Sequence, residues 1–114
     1  MSHRELAREY YDAVDDGRVD DLLALFADDV TYERPGQSSI DGKDDLAAFY
    51  REDRALEGEH EIHHVVVGGD RVAVRGTFSG EQAGEPVEFG FADFHFVEDG
   101  TIAERHTYTD RDTV

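Results

Sequence analysis

One carboxylate interrupts an apolar strand face. Val87, Phe89 and Phe91 alternate along the run from Pro86 to Val97, and Asp93 continues their parity. Burying a carboxylate is costly. An acid at that position is therefore either kept neutral, as a hydrogen-bond donor, or paired. Asp99-Gly100 is a two-residue hairpin signal. A tight hairpin there sets Asp93 opposite His106 and His95 opposite Glu104. An aspartate beside an imidazole is either an acid–base pair for proton transfer or an ordinary cross-strand ion pair. Tyr10 and Tyr50 lie on the apolar stripes of two helical segments. They are either core tyrosines with a satisfied hydroxyl or donors lining a cavity.

His60, His63 and His64 invite a metal reading, which the spacing opposes. On a strand His60 and His64 share a face but stand ~13 Å apart, and His63 points the other way. Zinc needs three or four ligands converging on one point. There is no cysteine for a thiolate ligand, nucleophile or disulfide. We expect no metal and no cofactor.

The chain has 114 residues, enough for one domain, residues 1–114. Its 28 acidic residues outnumber 11 Lys plus Arg, giving a net charge of -17. That charge argues against nucleic-acid binding, which needs a basic surface. No apolar run approaches the ~20 residues of a membrane span, and the polar start Met1-Ser2-His3-Arg4-Glu5 shows no secretory signal. A cytoplasmic location is expected. Lys43 is the single lysine against ten arginines and sixteen aspartates, a profile resembling proteins of salt-accumulating halophiles. The acidic runs Asp15-Asp16, Asp20-Asp21, Asp28-Asp29 and Asp44-Asp45 are expected at solvated helix ends.

The elements that must position these groups follow from periodicity. Leu6, Tyr10, Ala13 and Val14 form a helical stripe over residues 3–16, with Gly17 as its cap. Val19, Leu22, Leu23 and Phe26 mark a second helix ending near Asp29. Val30 to Arg34 reads as a short strand stopped by Pro35-Gly36, and residues 36–42 as a polar loop. A third helix starting at Asp41 or Gly42 carries Leu46, Phe49 and Tyr50. Four strands follow, over 61–67, 71–79, 86–97 and 102–109, joined by turns at Gly68-Asp70, Gly80-Gly84 and Asp99-Gly100. The plan is α+β, helices on one face of a mostly antiparallel sheet. A curved sheet covered in this way leaves a cone-shaped cavity fit for a small molecule.

The order of elements and several stretches resemble the nuclear-transport-factor-2-like superfamily, in its SnoaL-like and ketosteroid-isomerase-like branch. Those stretches are Tyr10 to Asp20, Leu25 to Tyr32, Gly42 to Tyr50, Glu98 to Ile102 and Tyr108 to Asp110. The resemblance implies a cone-shaped α+β barrel of three N-terminal helices on a curved, mixed, mostly antiparallel sheet. It implies a homodimer formed through that sheet, and a pocket lined by Phe26, Phe49, Tyr50 and Phe91. Tyr10 and Asp93, counting back from Asp99-Gly100 with a shorter turn, fall on the oxyanion-hole tyrosine and the protonated aspartic acid of the isomerases. A carboxyl in an apolar site stays neutral and can donate. The isomerase base before the proline is replaced by Arg34, which cannot take a proton but suits a carboxylate ligand. The epoxide hydrolases of the superfamily use an Asp–Arg–Asp set, whose last acid falls near Thr107. Arg105 and Thr107 belong on the pocket side by resemblance. That conflicts with the tight hairpin register, and a bulge in one strand would reconcile the two. The implied function is a pocket for a small apolar or carboxylate-bearing ligand, with isomerase, cyclase or lyase chemistry on a carbonyl compound. The alternative is a non-catalytic dimerisation or docking module.

Overall fold

The computed structural model describes residues 1–110. Helix α1 (His3–Asp16) opens with a reciprocal cap. The Ser2 hydroxyl accepts from the Glu5 N–H, and the Glu5 carboxylate accepts from the Ser2 N–H. It closes at Gly17, whose φ of 73° is left-handed. A β-carbon there would cost about 1 kcal/mol or more. Its buried stripe is Leu6, Ala7, Tyr10, Tyr11 and Ala13, wide enough to turn both adjacent tyrosines inward. Helices α2 (Val19–Leu23) and α3 (Lys43–Ala48) follow, and α3 runs into a π-helical turn over Phe49–Asp53.

The strands β1 (Phe26–Glu33), β2 (Ile40–Asp41), β3 (Leu56–Gly68), β4 (Arg71–Gln82), β5 (Glu85–Glu98) and β6 (Thr101–Thr109) form one sheet in the order β2-β1-β6-β5-β4-β3. All neighbours are antiparallel except β1 and β6. The sheet curves around the helices, and its inner face carries Val72, Val74 and Phe78 of β4 and Phe89 and Phe91 of β5.

Four expectations are corrected here. The second helix stops at Leu23, and Phe26 opens a strand, because it pairs with Ile102 across the parallel β1–β6 junction. That long-range pairing outweighs the local helical spacing. The expected loop over 36–42 contains β2, paired with Thr31 and Tyr32. Strand β3 begins at Leu56, not near residue 61, and Gly80 lies within β4 opposite Gly58. The tight-hairpin register of Asp93 with His106 also fails, because β6 carries one extra residue. Val97 faces Ile102 but Phe96 faces Glu104, which leaves Ala103 unpaired. The slip sets Asp93 against Thr107 and His95 against Arg105, so Arg105 and Thr107 turn to the inner face.

A second bulge acts in β3. Ile62 faces Gly76 and His64 faces Arg75, which leaves His63 unpaired. The expectation that His60 and His64 share a face is therefore overturned. His60 points inward opposite Phe78, while His64 lies on the outer face. Among the described residues no three His, Cys, Asp or Glu groups converge on a metal site. No described helix is long and apolar enough to cross a membrane.

Candidate functional site

The curved sheet, α1 and the π-helical turn enclose a cavity of about 30 Å³. That is room for a couple of water molecules or one small polar group. A more open groove of about 300 Å³ borders it, with Arg34, Thr107 and Thr109 in the wall of both. The cavity wall includes Tyr10, Arg34, Phe49, Phe91, Asp93, Arg105 and Thr107. Two of the residues expected to line it do not. Phe26 packs edge-on behind Tyr10, with centroids 5.8 Å apart. Tyr50 reaches the cavity only through its 2.6 Å hydroxyl contact with Tyr10.

The floor is ionic. Asp93 is 1% exposed and Arg105 3%. Arg105 donates through Nη2 to Asp93 Oδ2 at 2.9 Å. Asp93 also accepts from the Tyr11 hydroxyl at 2.5 Å and from the Thr107 hydroxyl at 2.5 Å. Because Thr107 spends its proton on Asp93, it accepts from Tyr32 at 3.0 Å. Because Tyr11 does the same, it accepts from His95, whose Nε2 lies 3.0 Å away. This fixes His95 as the Nε2–H tautomer and leaves Nδ1 bare and buried without a partner.

These contacts set the charges. Burial alone would raise the Asp93 pKa, but the Arg105 guanidinium and the two hydroxyls outweigh it and hold the carboxyl below its ordinary range. Burial likewise works against the charge of Arg105, and Asp93 overrules it, keeping the guanidinium protonated. Burial pushes the Tyr10 and Tyr11 hydroxyls well above the usual tyrosine range and Tyr50 up to about 12. The expectation of a neutral, donating Asp93 is thereby replaced. Asp93 is a carboxylate that only accepts, and what it holds is Arg105.

Arg105 is covered on both faces and held at one donor. Its guanidinium is sandwiched between the rings of Tyr10 at 4.2 Å and Tyr32 at 4.5 Å, a favourable cation–π arrangement. Its Nε and Nη1 are buried with no hydrogen-bond partner. Arg34 stands over Phe49 at 4.0 Å, and burial lowers its pKa. Arg54 adds a third guanidinium to the wall. In a chain of net charge -17, this cavity is lined by three arginines and one aspartate.

Sequence reasoning missed Tyr11, Tyr32, His95, Arg54 and His60. His95 had a usable signal, since it shares the parity of Asp93. Tyr11 had a weak one, the width of the α1 stripe. His60 lines the cavity from β3, and its partner is Asp15, expected at a solvated helix end. The Asp15 carboxylate bonds the His60 backbone N–H at 2.8 Å and ring Nδ1 at 2.6 Å.

Known structures share this architecture. An LEH-like epoxide hydrolase from M. tuberculosis is 26% identical, with a TM-score of 0.83 over 94% of this chain and 81% of that one. A protein from Sphaerobacter thermophilus is 25% identical, with a TM-score of 0.81 over 98% and 99%. A ketosteroid isomerase-like fold from Catenulispora acidiphila, crystallised with trimethylamine, is 18% identical, with a TM-score of 0.81 over 94% and 86%. The SnoaL-like domain family matches residues 7–105. With that match spanning most of the sequence, and with helices packed on a curved six-stranded sheet, this chain belongs to the SnoaL-like family.

Proposed function

We propose that the cavity receives the oxygen-bearing head of a small, otherwise apolar molecule, a carbonyl or carboxylate, and polarises it. The observation that carries this reading is the pair of unpartnered donors on buried Arg105. A buried donor left unsatisfied costs about 1–3 kcal/mol, and an anionic or developing oxyanionic oxygen would recover that cost. Asp93 holds Arg105 by Nη2; Nε and Nη1 lie on opposite edges of the guanidinium, and one of them meets the ligand oxygen. The excess of arginine along the wall favours negative charge. The cavity admits the head group, and the adjoining groove takes the apolar body. A reaction of the isomerase, cyclase or lyase type fits such a site, because each builds charge on a carbonyl oxygen. The missing acid at Thr107 leaves no second carboxylate for the Asp–Arg–Asp arrangement of an epoxide hydrolase.

Benzoate and benzamide share a shape and differ in charge. Isothermal titration should show benzoate binding about tenfold tighter, a difference of about 1.4 kcal/mol, despite the protein's own negative charge. Equal affinities would refute the reading.

A second reading concerns the outer sheet face, as a surface for self-association. Phe94 is 42% exposed and Tyr108 59%, with ring centroids 6.0 Å apart. Val66 and Ala73 share the cross-strand row of Phe94. Clustered exposed apolar side chains of this kind suit an interaction surface. Sedimentation at molar salt should give a dimer for the native chain and a monomer for Phe94→Asp. A native chain that stays monomeric at every concentration would contradict this.

A further inference from the structure

The Asp15–His60 pair is left unused by anion binding alone. Its geometry is that of an oriented imidazole. Asp15 grips His60 at two points, the backbone N–H and ring Nδ1. The ring is further wedged against Tyr11, Phe78 and Phe91, at centroid distances of 5.2, 5.0 and 5.2 Å. A carboxylate can only accept, so Nδ1 carries a proton, and in the singly protonated ring the lone pair sits at Nε2. Nε2 has no partner among the described residues, and the ring lines the cavity. Asp15 also sits where an acid is unfavourable to its own helix. It lies in the last turn of α1, at the negative end of the helix dipole. Its side chain is only 18% exposed, so solvation does not account for the placement.

We propose that His60, oriented by Asp15, is the proton acceptor of this cavity; the inference rests on the carbonyl-binding reading above. With a carbonyl compound, the C–H bond next to the carbonyl breaks and its proton passes to His60 Nε2. The bonding pair forms a new C=C bond, and the carbonyl π pair moves to the oxygen, where an unpartnered N–H of Arg105 holds the enolate. Return of the proton to the same or a conjugated carbon completes exchange or isomerisation. No oxidant or further reactant is needed. Asp15 and Tyr11 of α1 touch the His60 ring, and the ionisable groups that share the cavity with it are Tyr10 on α1, Tyr32 on β1, Arg34, Arg54, Asp93 on β5 and Arg105 on β6.

The test uses para-nitrophenol, an oxygen acid whose anion is coloured, at a pH just below its own pKa. The full-length protein is titrated while the ring-nitrogen NMR signals of His60 are followed. The free protein should show the Nδ1–H tautomer. On binding, the dye should turn to the coloured phenolate, and His60 should become the doubly protonated imidazolium in the same one-to-one titration. In Asp15→Asn the bound dye should carry about tenfold less phenolate relative to phenol, the equivalent of one pKa unit, with little loss of affinity. Dye that binds while His60 keeps its single proton overturns the proposal and leaves the anion site standing. Dye that fails to bind the native protein overturns both.

Discussion

Acidifying the protein from about pH 6.5 to about pH 4.5 at molar salt is expected to remove about 2 kcal/mol of stability through one side chain, His95. His95 is fully buried. Burial first, and the nearby Arg105 charge second, push its pKa down to about 3, against the smaller opposing pull of Asp93. An unfolded histidine titrates near 6.5. Between those values the unfolded chain binds a proton that the folded chain refuses. Stability therefore rises with pH in that window, by up to about 1.4 kcal/mol per unit. The contribution is complete above the unfolded value and is lost as pH falls toward the folded one. Asp93 adds a loss at lower pH, since its depressed pKa stabilises the fold only while it is ionised. Molar salt screens the repulsion among surface carboxylates, so their own titration does not mask the slope. Urea unfolding midpoints should fall across the window for the native protein and stay nearly flat for His95→Gln, which keeps an N–H donor for Tyr11. Parallel curves for the two proteins would show that His95 is not the cause.

Removing one half of the buried ion pair should be the most damaging single change in the molecule. Asp93→Ala strands the Arg105 charge and leaves Tyr11 and Thr107 without their acceptor. Breaking such a pair costs about 3–5 kcal/mol, which for a domain of this size lowers the melting temperature by about 12–20 °C. Replacing both partners by apolar residues, Asp93→Leu with Arg105→Met, should recover most of that loss, because no charge is left uncompensated. The double variant should still have no affinity for benzoate. Calorimetric melting of the single and double variants checks this. A single variant as stable as the native chain would mean the pair contributes little.

Much of this arrangement can be read from residue patterns, and the remainder depends on single-residue irregularities. The inward parity of Asp93 follows from Val87, Phe89 and Phe91, because side-chain alternation in a strand is strict. The partner of Asp93 does not follow, because one unpaired residue, Ala103, exchanges His106 and Glu104 for Thr107 and Arg105. Nothing in the local composition marks that bulge. The same holds for His63 in β3, which separates the faces of His60 and His64. Phe26 has helical spacing with Val19, Leu22 and Leu23, but its partner lies far along the chain at Ile102. Asp15 and His60 are 45 positions apart, so their contact appears only once α1 lies against β3. The reading of Asp93 as a neutral donor assumed an apolar pocket, and Arg105 removes that assumption.

The proposed anchor of the ligand is an unpartnered N–H of the Arg105 guanidinium. A crystal grown with para-bromobenzoate tests it most directly, since the bromine marks the orientation of the molecule. The expected result places a carboxylate oxygen within hydrogen-bond distance of Arg105 Nε or Nη1, with the bromine toward the groove beside Thr109. A bromobenzoate bound with its carboxylate away from Arg105, or a cavity that holds only water at saturating ligand, would contradict the claim.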